Sequence, residues 1–273
     1  MEHRENRPDQ LKALLALSQA KQERSTMKNY SQKMEKSPKK AGGLSAAQKR
    51  GALIMKLLLK AYSPEECVVW HSLFMPTEIF YAMNIVPFST EMVAAGLAGA
   101  GLSRELVETG ESYTQCSDSC SFATCAVGAI DAGLLSVPDF LVTTSQLCDP
   151  AKKLAYMAAK KYGKKEYFID VPFGAYSFSR EEYGRAVKYV AAQLRGMVSF
   201  IESETGRRLD TDRLGEIIRI SNEARSWFLK VREIRKGPAL TRGIRMLDFS
   251  SVLLNIWGTE ESVDVFRTLY GEL

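Results

Sequence analysis

Of the five cysteines in the 273-residue chain, four fall within residues 116–148: Cys116, Cys120, Cys125 and Cys148. They lie in Tyr113-Thr-Gln-Cys-Ser-Asp-Ser-Cys-Ser-Phe-Ala-Thr-Cys125 and, further on, Thr143-Thr-Ser-Gln-Leu-Cys-Asp149. No Lys or Arg occurs between Glu105 and Ala151, so no neighbouring cationic side chain favours the thiolates. Thiols grouped in such a segment suit a metal centre, which brings its own positive charge.

Four chemistries fit the cluster on residue type alone. Zinc sites favour paired spacings such as C-x2-C, which are absent, and beyond the N-terminal tail the only histidine is His71. A cysteine nucleophile also needs a cationic or histidine neighbour, again only His71. An iron–sulfur cluster needs no such neighbour and accepts varied spacing. Buried apolar cysteines without a ligand are the fourth reading, and the stronger one for Cys67, which lies in an apolar run. If the segment around them is helical, Cys116 and Cys120 share one face and Cys125 points elsewhere.

The elements that must carry these residues alternate in type. Cys67–Trp70, Ile85–Phe88, Asp139–Thr144 and Glu166–Asp170 are short apolar runs rich in β-favouring residues. Helical stretches are expected over Pro76–Met83 and Ala151–Lys161, and another from about Leu44 through Leu58. This alternation predicts an α/β fold, a parallel sheet flanked by helices of the Rossmann-like or flavodoxin-like kind. In such sheets, functional groups collect beyond the carboxyl ends of the strands. Ser72, Thr90, Ser145 and Cys148 should therefore share one rim, with Cys148 where the next helix begins. After Pro172, helical spacing runs from Tyr183 to Ile201 and from Leu214 to Ile234. The expected division is a basic tail over 1–45, an α/β domain over 46–175 and a helical segment over 176–273.

The net charge of +5 belongs to the tail. Residues 1–50 hold 12 Lys/Arg against 5 Asp/Glu, and the remainder holds 25 against 27. No recognition motif accompanies the basic residues, so nucleic acid is not the expected partner. No membrane span and no secretory leader is expected, and scattered odd-numbered cysteines fit a reducing cytoplasm.

Three segments resemble the 2-hydroxyacyl-CoA dehydratase D-component family, which also includes benzoyl-CoA reductase subunits. They are Pro76-Thr-Glu-Ile-Phe-Tyr-Ala-Met-Asn-Ile-Val-Pro87, Cys120-Ser-Phe-Ala-Thr-Cys-Ala-Val-Gly128 and Pro138-Asp-Phe-Leu-Val-Thr-Thr-Ser-Gln-Leu-Cys-Asp149. Ser221-Asn-Glu-Ala-Arg225, within Leu214–Pro238, is similar to the family's middle region. The likeness covers about residues 50–250, and order and spacing make the combination more specific than any one motif.

The resemblance implies a [4Fe–4S] cluster in a heterodimer of related subunits, with an ATP-dependent activator protein supplying single low-potential electrons. The implied reaction is radical dehydration of a 2-hydroxyacyl-CoA to an enoyl-CoA, or ring reduction in the reductase branch. Carried over by position, Cys120 and Cys148 match cluster ligands, and Cys116 and Cys125 become candidates for variant ligation. His71 and Ser72 stand where family members place residues near the substrate, with a strand-end cap as the competing role. Lys152, Lys153, Lys164 and Lys165 are the nearest cations for CoA phosphates. The family's third ligand lies in a second α/β domain beyond the region matched. Three expectations follow: a fragment or split subunit, a ligand taken from Cys116 or Cys125, or a partner subunit that holds no cluster.

Overall fold

The structure, a computed structural model, describes residues 44–99, 101–114, 117–146, 148–173, 178–237 and 243–273. These form two compact units interleaved along the chain. One comprises Cys67–Met75 and Phe88–Arg208; the other comprises 44–66, Pro76–Pro87 and Leu209–Leu273.

The sheet contains β1 (Val68–His71), β2 (Val86–Phe88), β3 (Phe140–Thr144) and β4 (Glu166–Ile169), in the order β2-β1-β3-β4. The β1–β3 and β3–β4 pairs are parallel, with Trp70 level with Leu141 and Val142 level with Tyr167. Every residue of β1 and β3 is buried, which is why these strands read as unbroken apolar runs rather than as alternating patterns. The expected α/β sheet flanked by helices is the architecture observed. Cys67 precedes β1 rather than lying within it.

The helices of the first unit are α3 (Thr90–Gly99), α4 (Ser103–Thr114), α5 (Ser121–Asp131), α6 (Asp149–Tyr162) and α7 (Arg180–Thr205), where α1 (Ser45–Ala61) and α2 (Thr77–Ala82) belong to the second. α5 packs against α3, α4 and α6, and α6 also covers β3 and β4. α7 starts at a capping box, with the Ser179 hydroxyl accepting from the Glu182 amide and the Glu182 carboxylate accepting from Ser179 N–H. It then lies along β4: Tyr167 donates to the Gln193 carbonyl at 2.9 Å, and Phe200 packs against Tyr167 and edge-on against Phe140.

In the second unit, α1 and α2 join α8 (Thr211–Ile234), α9 (Gly243–Asp248), α10 (Ser250–Asn255) and α11 (Glu260–Glu272). Its core includes Ala224, Val231, Val252, Ile256, Phe266 and Leu269. The Glu272 carboxylate accepts from the first amides of α1, Ser45 N–H at 2.5 Å and Ala46 N–H at 2.9 Å. A carboxylate at a helix N-terminus satisfies otherwise unpaired donors and complements the dipole, here joining sequence-distant ends of one bundle. Tyr81 donates to the Asn255 carbonyl at 2.6 Å, and Thr77 to the Trp257 carbonyl at 3.0 Å, pinning α2 to the same bundle.

Candidate active site at the carboxyl edge of the sheet

Parallel strands bring their carboxyl ends to one edge, and this edge carries a row of buried polar side chains. His71 and Ser72 follow from β1, Ser89, Thr90 and Glu91 from β2, and Thr143 and Thr144 from β3, all of them buried. Polar groups are buried together only when something compensates for lost water, so the row needs an account.

Glu91, in the first turn of α3, has four donors, its own amide among them. The Ser89 and Thr90 hydroxyls each donate to its Oε2 at 3.1 Å, and the Leu73 amide donates as well. Burial nevertheless dominates and pushes its carboxyl pKa up, the four hydrogen bonds only partly opposing it. Because Leu73 follows Ser72, this hydrogen bond links the Glu91 carboxyl to the end of β1.

His71 Nδ1 faces the Ser72 carbonyl at 2.9 Å. A carbonyl only accepts, so Nδ1 carries the hydrogen and Nε2 is the basic nitrogen. Burial lowers the imidazole pKa to about 4, with the Ser72 hydrogen bond opposing weakly. His71 is therefore neutral at neutral pH. Ser72 N–H donates to Val142 O at 3.4 Å, extending the β1–β3 ladder by one residue. Its hydroxyl is buried with no hydrogen-bond partner among the described residues. A hydroxyl in that condition is a donor available to an incoming oxygen.

Cys120 and Cys148 occupy equivalent local positions. Each is the N-cap of a helix, α5 and α6 respectively, with extended backbone and a side chain that makes no cap hydrogen bond. Both are half-buried and outside any disulfide. The capped helices pack against each other. Cys125 is different: it sits within α5 at 2 % exposure, and burial pushes its thiol pKa up. Residues 117–119 are bent rather than helical, and Cys120 is extended at φ −61°, ψ 120°. The helical-face argument for Cys116 and Cys120 thus does not apply to Cys120, because Ser117-Asp118-Ser119 favours turn over helix continuation. Cys116 itself lies outside the described residues.

Among the described residues, no three His, Cys, Asp or Glu side chains converge as a metal-holding group. The donor chemistry of Cys120 and Cys148, two half-buried thiols not engaged in capping, suits an iron–sulfur cluster as a partial ligand set. Of the candidate cations, Lys152 and Lys153 are on the first turn of α6 beside Cys148, where Lys152 pairs with Asp149 at 2.5 Å. Lys164 and Lys165 lie past the other end of α6, and Lys165 pairs with Glu204 at 2.7 Å.

Comparison with known proteins bears on this edge directly. The family model described as 2-hydroxyglutaryl-CoA dehydratase, D-component, matches residues 72–273. The chain belongs to that family. The matched span includes Ser72, Glu91, Cys120 and Cys148 and begins one residue after His71. An (R)-phenyllactyl-CoA dehydratase alpha subunit from Clostridium sporogenes is 25% identical over 220 residues, covering 78% of this chain and 53% of that protein. An (R)-2-hydroxyisocaproyl-CoA dehydratase alpha subunit from Clostridioides difficile is 24% identical over 222 residues, with the same coverage of 78% and 53%. An (R)-2-hydroxyglutaryl-CoA dehydratase subunit alpha from Acidaminococcus fermentans is 24% identical over 140 residues, 51% of this chain and 29% of that protein. The chain thus spans about half the length of the first two dehydratase subunits. Among its described residues no helix is long and apolar enough to cross a membrane.

Glu91 is the residue that sequence reasoning passed over. The available signal was Ser89-Thr90-Glu91 directly after a strand, which reads equally well as an exposed helix start.

Proposed function

We propose that this D-component chain is an iron–sulfur subunit of a 2-hydroxyacyl-CoA dehydratase-type lyase, removing water from a 2-hydroxyacyl-CoA to give the enoyl-CoA. The observation that carries the reading is the buried, unpartnered Ser72 hydroxyl and the buried Glu91 carboxyl at the strand ends of a family member, on the unit that also holds two helix-capping cysteines. Cys120 and Cys148 would supply two of the thiolates for a [4Fe–4S] cluster. When bound, that group would supply a Lewis-acidic iron for the thioester oxygen and a site for a single low-potential electron.

The chain's own residues have distinct tasks. Ser72 donates its buried hydroxyl to an oxygen of the substrate, where a preorganised donor in a dry site counts most. Glu91 holds or accepts a proton: burial raises its pKa, favouring the neutral acid, and its four donors fix the orientation. His71, neutral and held in one tautomer, orients the end of β1. Lys152 and Lys153 lie on the cysteine-bearing end of α6, where they would offer charge to the CoA phosphates. A related second subunit and an ATP-dependent activator protein are the proposed partners, and the cytoplasm the proposed compartment.

The test is an anaerobic assay of the chain assembled with its partner subunit, supplied with activator, reductant, ATP and a 2-hydroxyacyl-CoA. Mass spectrometry should find the enoyl-CoA, lighter by one water. A thioester returned unchanged by the assembled complex contradicts the proposal.

A further inference from the structure

α4 and α5 form a hairpin whose connection bears the cysteine segment, and the two helices meet through glycines. A methyl group at Gly110 of α4 would overlap the Thr124 carbonyl oxygen of α5, and one at Gly128 of α5 would overlap the Leu106 carbonyl oxygen of α4. Both obstacles are backbone atoms, so no side-chain movement relieves them. The contacts are reciprocal, each helix lending a glycine to its neighbour's carbonyl. Such backbone approach leaves no room for the helices to slide.

On α5 the glycine-seated residue is also the one that holds Cys120. The Thr124 amide donates to the Cys120 carbonyl at 3.0 Å, and the Thr124 hydroxyl donates to the same carbonyl at 3.0 Å. On α4 the pattern repeats: the Thr114 hydroxyl donates to the Gly110 carbonyl at 3.0 Å, just before the cysteine segment starts. Back-bonding by a helical threonine is common and by itself unremarkable. Here the acceptor belongs to an N-cap residue with extended backbone and no side-chain cap bond of its own. The amide bond is the ordinary first hydrogen bond of the helix, and the Thr124 hydroxyl adds a second donor to the same carbonyl, fixing the Cys120 backbone from the turn above while its thiol makes no cap bond.

We infer that Thr124, seated against Gly110, is the positioning residue for Cys120, fixing where that thiol is presented. The inference rests on the reading of Cys120 as a cluster ligand and adds the group that orients it, an outer-shell role comparable to the hydrogen-bonding partners of other metal ligands.

The experiment uses the full chain as Thr124→Val, which keeps the shape and loses the hydroxyl, and Thr124→Ser, which keeps the hydroxyl. In the metal-free chain under reducing conditions, iodoacetamide alkylation is followed at each cysteine by peptide mass spectrometry. Thr124→Val should raise alkylation of Cys120 about fivefold, the scale of one lost intramolecular hydrogen bond, while Cys148 and buried Cys125 keep their native rates. Thr124→Ser should restore the native rate. After anaerobic reconstitution, Thr124→Val should retain iron about tenfold less tightly than the native chain, and Thr124→Ser as tightly. A native Cys120 rate in Thr124→Val, or a rise shared by Cys125 and Cys148, overturns the positioning role. If the native chain takes up no iron, the cluster reading fails by that result, and the alkylation pattern alone decides the positioning of Cys120.

Discussion

At the scale of single residues, two buried titratable groups on one rim pull stability in opposite directions with pH. His71 titrates near 4 in the folded chain against about 6.5 when unfolded, so between those values the unfolded chain binds more protons. Its contribution is present above pH 6.5 and lost as pH falls through that window, roughly 2 kcal/mol between pH 7 and pH 5. Glu91 has a raised folded-state pKa, so its contribution is present at low pH and lost as pH rises past the ordinary carboxylate range. Urea unfolding of the native chain, His71→Gln and Glu91→Gln at several pH values separates the two. His71→Gln should lose the acid-side decline, and Glu91→Gln the decline on the rising side. Ser72 makes a different prediction. Its buried hydroxyl has no partner among the described residues, so Ser72→Ala should leave stability unchanged or raise it by about 1 kcal/mol. Turnover by the assembled enzyme should nevertheless fall roughly 100-fold or more if the hydroxyl serves the substrate oxygen. Equal turnover in Ser72→Ala and the native protein would remove Ser72 from the proposed chemistry.

At the scale of elements, the glycine contacts between α4 and α5 leave no tolerance for an added methyl. Gly128→Ala should cost about 3 kcal/mol or more, because its Cβ meets the Leu106 carbonyl rather than a yielding side chain. Chemical denaturation followed by circular dichroism checks this, with half-buried Gly184→Ala, where a Cβ meets nothing within 4 Å, as the control. These helices were also the least legible part of the sequence. The strands announced themselves as short apolar β-branched runs, since β1 and β3 are buried on both faces. Helix α6 was legible from its spaced apolar face, Ala151, Leu154, Ala155 and Ala158. In α5, by contrast, Ala123 through Ile130 is buried without interruption, so no amphipathic period survives for a reader to find. Helix α3 is built largely from Ala and Gly and carries little contrast between faces. Glu91 was hidden for a related reason: its burial and its hydrogen bond from the Leu73 amide join residues 18 apart in sequence, which only the folded chain brings together.

At the scale of the whole molecule, a chain spanning about half the length of its dehydratase relatives contains a polar sheet edge, two cysteine-capped helices and a helical unit with its own core. Family membership and the α/β scaffold were visible in Pro76–Pro87, Cys120–Gly128 and Pro138–Asp149, because motif order survives where pairwise identity is 25% or less. The ligand set was less visible, since spacing along the chain does not say which thiols face one place. Burial separates Cys125 from the two caps. The central claim is that Cys120 and Cys148 hold an iron–sulfur cluster. Its most direct test is iron and acid-labile sulfide analysis of the full chain after anaerobic reconstitution, native beside Cys120→Ser, Cys148→Ser and Cys67→Ser. The account predicts about four iron and four sulfide per chain, or per dimer, in the native protein and in Cys67→Ser, with loss of both in the other two variants. A native chain that stays colourless and metal-free with its fold intact, or a cluster lost with Cys67 and kept without Cys120 and Cys148, would contradict it.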